Sequence, residues 1–247
     1  MCGVAGFLID SEFSSSINYE AAIKKMTDSI KHRGPDDFGF WNSLSDGIYL
    51  GHRRLSILDL SEAGHQPMES SNGRFVIAFN GEIYNHLQIR SEIEKINNNI
   101  SWRGHSDTET ILSSFETFGI EASIEKFIGM FAFSLWDRKN KILTLARDRL
   151  GEKPMYYGWQ NTINGRVFLF GSELKAVKSF PNIDLKVDRG SLSLFLRHAY
   201  IPNPYSIYEN IFSLESGQIL QVSLSNKEPR TFNYWDASEI IKKGSIK

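Results

Sequence analysis

The sequence predicts an α+β fold, and three observations carry that reading. Runs of β-forming residues, at 3–9, 74–79, 127–136 and 142–146, end abruptly at polar or charged residues, as buried strands do. Other segments place apolar residues on one helical stripe: Tyr19, Ala22, Ile23, Met26 and Ile30, then Ile111, Leu112, Phe115 and Phe118. A hydrophobic content of 41% with 23% charged residues is that of an ordinary soluble globular domain. The 247 residues suffice for a substantial core.

Charge and cysteine usage narrow the function classes. Lys+Arg 28 against Asp+Glu 29 gives a net charge of -1, so nothing points to nucleic acid or an anionic membrane as partner. A single cysteine excludes an intrachain disulfide and a cysteine-rich metal site. No basic residues precede the apolar run 4–9, which ends at Asp10, so it is not a secretory signal. No stretch is long enough to span a membrane. A reducing, cytoplasmic location fits best.

Along the chain, Cys2 comes first. Removal of one initiator methionine would make it the N-terminal residue, carrying a thiol and a free α-amine together. A thiol with pKa ~8.5 and an amine with pKa ~7.7–8.0 form a nucleophile with its own general base. The bland alternative is a small buried hydrophobe. Position alone favours the bland alternative. Glycines 3 and 6 in the first strand permit close approach of backbone or ligand.

The helix after Asn18, a plausible N-cap, is expected to end near Lys31-His32. His32-Arg33-Gly34-Pro35-Asp36-Asp37 is a turn, either a solvated connector or a loop closing over a ligand. Strands at 38–41 and 48–50 pair around Ser45-Asp46-Gly47, and the second continues through Gly51-His52-Arg53-Arg54-Leu55. Alternation sends Arg53 and Arg54 to opposite faces, so only one of them can look into a given site.

The strand at 74–79 runs into Asn80-Gly81, the strongest short hairpin signal, so a type I′ turn is expected there. An Asn amide and an adjacent Gly N–H can also converge on one oxyanion. Asn85 reads as the cap of a helix through Ile96. Ser106-Asp107-Thr108-Glu109 has capping-box form and opens a helix that stops at Gly119. Asp107 thus falls in a first helical turn, where the dipole would keep it ionised.

Residues 147–154 form a charged loop. Strands follow at 156–159 and 167–170, and a short helix begins at 172. From about Lys186 the texture changes. A helix carries Leu192, Phe195 and Leu196, and a proline segment spans 200–205. Strands are expected at 218–222 and 234–235, and a last helix at 236–243.

Seven segments together carry a resemblance. They are Met1-Cys2-Gly3-Val4-Ala5-Gly6, Arg33-Gly34-Pro35-Asp36, Arg54-Leu55-Ser56-Ile57, Asn80-Gly81-Glu82-Ile83-Tyr84-Asn85-His86, His105-Ser106-Asp107-Thr108-Glu109, the run 147–154 and Ser172-Glu173-Leu174-Lys175-Ala176. In this order and spacing the chain resembles, over about residues 2–235, the glutaminase domain of glutamine-hydrolysing asparagine synthetases. These are class II glutamine amidotransferases within the N-terminal-nucleophile hydrolases.

The resemblance implies a four-layer α-β-β-α sandwich of two antiparallel sheets. It implies that Cys2 attacks the side-chain amide of L-glutamine and forms a thioester, with Asn80 and Gly81 holding the oxyanion. It implies that Arg54, not Arg53, binds the substrate α-carboxylate with the backbone of Leu55, Ser56, Ile57 and Leu58, while Glu82 and Asp107 bind the α-ammonium. The products would be L-glutamate and ammonia, in the service of asparagine biosynthesis.

A synthetase domain with a Ser-Gly-Gly-x-Asp-Ser type loop follows in that family and is not found here. ATP and magnesium would belong to that domain, so no cofactor or metal is expected in this chain. Residues 2–185 are then the glutaminase domain, and 186–247 a lead-in to the synthetase domain. A homodimer is compatible with the sequence. Two rivals remain: the glutaminase half of an amidotransferase serving an aminosugar or surface-polysaccharide pathway, and a non-catalytic glutamine-binding module that keeps Met1. A Cys–His protease is a poor fit, because none of the six histidines has a context pairing it with Cys2.

Overall fold

A computed structural model describes residues 1–10, 17–56, 62–163 and 165–244. In chain order the elements are β1 (Gly3–Ile9), α1 (Tyr19–Asp28), β2 (Asp37–Ser43), β3 (Ile48–Arg54), β4 (Met68–Glu69), β5 (Phe75–Ile83), α2 (His86–Ile96), α3 (Asp107–Phe118), α4 (Ile120–Lys126) and β6 (Gly129–Asp137). Then come β7 (Ile142–Arg147), β8 (Tyr156–Thr162), β9 (Gly165–Gly171), α5 (Leu174–Lys178), α6 (Arg189–His198), β10 (Phe212–Ser213), β11 (Gln218–Val222), β12 (Arg230–Asn233) and α7 (Ala237–Gly244). The strands form two six-stranded antiparallel sheets, ordered β10-β8-β9-β1-β3-β2 and β12-β11-β7-β6-β5-β4.

Three apolar clusters show how the layers stack. Val4, Leu8, Ile48, Leu50, Val76, Ala78, Leu143 and Leu145 meet between the sheets. Ala5, Phe7 and Tyr49, from the opposite faces of β1 and β3, pack under α1 and α5. Phe75, Ile77 and Phe79 pack under α2, α3 and α4. The order is therefore α-β-β-α. Both faces of each sheet are covered, which is why the strands read as continuous apolar runs rather than as an alternation. Fully burying one such side chain contributes roughly 1.5–3 kcal/mol.

Local signals set most boundaries. Asn18 Oδ1 accepts the Ala21 N–H at 3.0 Å and caps α1. That helix ends at Asp28, short of Lys31-His32, because a separate 3₁₀ turn covers Lys31–Arg33. Gly119, at φ +85°, stops α3 as expected.

The capping box is only half formed. Ser106 Oγ accepts from the Thr108 N–H, while the buried Glu109 carboxylate accepts instead from the Arg103 and Gly104 N–H groups. Asn85 precedes α2 but does not cap it with its side chain. Its amide instead ties the helix to Lys126 O and to the Ile128 N–H.

The expected turn at Asn80-Gly81 is a strand. Pairing of β5 with β6 runs unbroken through Asn80↔Ala132, Gly81↔Phe131 and Ile83↔Gly129. Gly81 is not among the glycines in the left-handed region that a type I′ turn demands. Glycine is needed there for another reason: a Cβ would run into Met130 O and the Phe131 backbone.

After residue 186 the chain divides. Strand β10 edges one sheet against β8, and β11 and β12 extend the other past β7. Tyr234 and Trp235, expected as strand, lie just beyond β12, where both N–H groups meet Gly217 O. Helix α6 keeps Leu192, Phe195 and Leu196 exposed. No helix among the described residues is long and apolar enough to cross a membrane.

Candidate active site

The inter-sheet layer opens at the start of β1. Period-two alternation continues the inward faces outward: Val4 leads back to Cys2, Leu50 leads through His52 to Arg54, and Ala78 leads to Asn80 and Glu82. Apolar inside and polar at the mouth, these three rows meet around a cavity of about 200 Å³. Cys2, Arg54, Leu55, Asn80, Gly81, Glu82 and Asp107 all line it. Seven of the sequence-predicted residues are thus brought together from three elements, β3, β5 and α3, and two loop ends.

The arginine pair divides as alternation requires. Arg53 points outward, pairs with Asp28, donates to Thr27 O at 3.3 Å and stacks on the Phe38 ring. Arg54 lines the cavity with its guanidinium against Gly64, where a Cβ would collide with it.

Leu55 brackets the nucleophile candidate. Its N–H donates to Cys2 Sγ at 3.4 Å, and its carbonyl lies 3.7 Å from the same sulfur. Ser56 is turned to the preceding loop, donating its N–H to Asp36 Oδ2 at 2.8 Å. Ile57 and Leu58 lie outside the described residues.

Burial pushes the Cys2 thiol above its ordinary pKa. The Leu55 hydrogen bond, the Met1 ammonium and Arg54 pull the other way, and Asp107 adds to the rise. The N-terminal amine here is that of Met1, whose Sδ accepts from Lys153 Nζ at 3.3 Å.

The loop expected as a turn holds Cys2 from behind. Arg33 Nε donates to Cys2 O at 2.9 Å, and its Nη1 pairs with Glu173 at 3.1 Å. Glu173 also takes His32 and Lys175, and these partners hold its carboxyl below the usual range despite the cost of burial. Ser172 clips β1 in place, accepting from Val4 N and donating to Val4 O.

Along the outer edge of β5 a pattern of donors appears. Phe79 N–H donates to Gln66 Oε1 at 2.7 Å, and Ile83 N–H to Asp107 Oδ2 at 2.9 Å. Strand alternation puts the Gly81 N–H on the same edge between them, facing the cavity that Gly81 lines. Beside it, Asn80 is 1% exposed and its side-chain Nδ2 has no hydrogen-bond partner. An orphaned buried donor is costly, and such groups occur where a ligand completes them.

Asp107 departs from expectation. Burial, at 5% exposure, pushes its carboxyl up to about 6, with Glu82 adding to the rise and the Ile83 and Thr108 N–H groups opposing it. Desolvation outweighs the helix N-terminus, so Asp107 titrates near neutrality instead of staying fully ionised.

Sequence reading missed Gln66 and His52. Gln66 sits in a polar stretch without periodicity, and only the fold carries it to Phe79. His52 had a signal: a polar residue on the inward face of a buried strand, two positions before Arg54. The charged loop 147–154 is also more interior than its composition suggests. Buried Asp148 accepts from the Leu150, Glu152, Lys153 and Phe131 N–H groups and so folds the loop around itself.

With this geometry in place, comparison with known proteins gives a consistent result. A family model described as a glutamine amidotransferase domain matches residues 1–235. The chain belongs to the glutamine amidotransferase domain family. It is 38% identical over 254 residues to a putative glutamine-hydrolysing asparagine synthetase 2 of Methanocaldococcus jannaschii, covering 96% of this chain and 47% of that protein. It is 35% identical over 217 residues to asparagine synthetase 1 of Bacillus subtilis, covering 88% of this chain and 33% of that protein. The chain thus spans half or less of these relatives' lengths. Glutamine phosphoribosylpyrophosphate amidotransferase of B. subtilis superposes with a TM-score of 0.66 at 17% identity, over 95% of this chain and 49% of that one, and shares the fold.

Proposed function

We propose that this chain hydrolyses L-glutamine to L-glutamate and ammonia through a thioester on Cys2, as the ammonia-supplying half of an asparagine synthetase. The observation that carries the reading is the unpartnered Asn80 amide, buried at the cavity that Cys2 also lines. Removal of Met1 is part of the proposal, since it frees the Cys2 α-amine.

That amine takes the thiol proton as Sγ attacks the substrate amide carbon. The oxyanion draws hydrogen bonds from Asn80 Nδ2 and the Gly81 N–H. Collapse breaks the C–N bond, and the proton on the amine passes to the departing nitrogen, releasing ammonia. Water, deprotonated by the same amine, then attacks the thioester carbonyl and returns the thiol. Arg54 presents a planar fork to the substrate α-carboxylate. Glu82 and Asp107 face the α-ammonium.

Asparagine as the eventual product rests on the names of the longer relatives. The lone cysteine is in keeping with a reducing, cytoplasmic setting. The test is glutamine-dependent ammonia release by chain with Met1 removed, beside Cys2→Ala. Release that disappears in the variant supports the reading. Release that survives in Cys2→Ala, or none in either, refutes it.

A further inference from the structure

Strand β5 is an edge for the part of its length that matters to catalysis. Its neighbour β4 is two residues long and pairs only with Val76 and Ile77. Beyond that point no strand among the described residues lies beside the outward backbone groups of Phe79, Gly81 and Ile83. In an antiparallel strand the N–H and C=O of one residue point to the same side. Both groups of Phe79 therefore face this edge, and both are taken by side chains. Gln66 Oε1 accepts the Phe79 N–H at 2.7 Å. His52 Nε2 lies 2.9 Å from Phe79 O.

The chemistry of the His52 contact is unambiguous about roles. A carbonyl oxygen only accepts, so Nε2 carries the proton and donates. Nδ1 has no partner, and the ring is wholly buried. Burial keeps it neutral, with a pKa lowered to about 4. His52 belongs to β3, two residues before Arg54, so its ring links the sheet carrying Cys2 and Arg54 to the sheet carrying Asn80 and Gly81. Gln66 extends the link the other way, since its Nε2 donates to Thr108 Oγ1 at 3.2 Å, next to Asp107.

We propose that His52 and Gln66 are positioning residues for glutamine hydrolysis: by fixing both backbone groups of Phe79 they set where Asn80 and Gly81 present their donors to the oxyanion. The proposal rests on the glutaminase reading above and deepens it. His52 is not among the residues lining the cavity, and Gln66, which does line it, has both ends of its amide engaged by Phe79 and Thr108. Their effect is on the placement of a donor pair, where an error of about 1 Å is enough to cost 10²-fold in rate. Binding of the intact substrate, which depends on Arg54, Glu82 and Asp107, should change much less.

The experiment compares wild type, His52→Leu, His52→Gln and Gln66→Leu, each with Met1 removed and each scaled to the folded fraction. Two quantities are read beside kcat and KM. One is the affinity for the aldehyde analogue of glutamine, whose thiohemiacetal needs the oxyanion donors. The other is glutamine affinity in the Cys2→Ala background, which does not need them.

The expected result is a 10- to 100-fold loss of kcat and of aldehyde affinity in His52→Leu and Gln66→Leu, with glutamine affinity held within threefold. His52→Gln, whose amide can reach the same carbonyl, should recover most of the loss. It also keeps the test open if His52→Leu does not fold. Unchanged kcat and aldehyde affinity in folded variants overturns the proposal and leaves the glutaminase reading intact. So does equal loss of glutamine and aldehyde affinity. Wild type that does not turn over glutamine overturns both.

Discussion

Replacing Asp107 with Asn should change the shape of the pH profile as well as its height. Asp107 is buried at the N-terminus of α3, and its carboxyl is pushed up to about 6. To hold the glutamine ammonium it must be ionised. Below pH 6 its ionised fraction falls about tenfold per pH unit, some 1.4 kcal/mol each. The proposed base, the Cys2 α-amine, must be neutral in the free enzyme, and its ordinary pKa is ~7.7–8.0.

Log kcat/KM should therefore fall with unit slope below about pH 8 and steepen to a slope of two below about pH 6. In Asp107→Asn the steepening should vanish, leaving one slope to pH 5. Asn keeps an oxygen for the Ile83 N–H, so the backbone is not released. Loss of the charge pair should still lower kcat/KM at pH 7 by ~3 kcal/mol, on the order of 10²-fold. The assay is initial ammonia release at subsaturating glutamine between pH 5 and 9. A wild-type profile with one slope throughout, or a variant that still steepens near pH 6, would refute the assignment.

Three further outcomes follow from the same geometry. Asn80→Ala should lose ~10²–10³ in kcat with little change in KM, because its Nδ2 is an unpartnered donor in the ground state; steady-state kinetics decide. Gly64→Ala should displace the Arg54 guanidinium, raising KM for glutamine more than it lowers kcat, and restoring Gly should restore KM. His52→Gln should lessen acid lability. An unfolded histidine protonates near pH 6.5 but buried His52 only at about 4, so stability falls as pH drops between these values by up to ~3 kcal/mol. Asp107 acts with the opposite sign over a similar window in both proteins, so urea unfolding of wild type against variant isolates the His52 effect.

Much of this was legible from the residues because two signals agreed. Alternation in 48–54 separated Arg53 from Arg54 correctly, and the apolar stripes found α1 and α3. Asn80-Gly81 misled because a dipeptide preference is local, whereas nine paired residues of β5 with β6 are not. The absence of a Cβ at Gly81 serves close packing on Met130 O rather than a left-handed turn. Asp107 misled because its first-turn position was visible and its burial was not. His52–Phe79 and Gln66–Phe79 join residues 27 and 13 positions apart, on different elements, and no periodicity connects them.

The most direct test of the central claim is capture of the intermediate. Chain with Met1 removed is mixed with isotopically labelled glutamine, quenched in acid during turnover and digested. The account predicts labelled glutamyl on the peptide that begins with Cys2, bound through sulfur and lost on treatment with hydroxylamine, and no label in Cys2→Ala. Turnover that proceeds with no label at Cys2, or label at another residue, would contradict it.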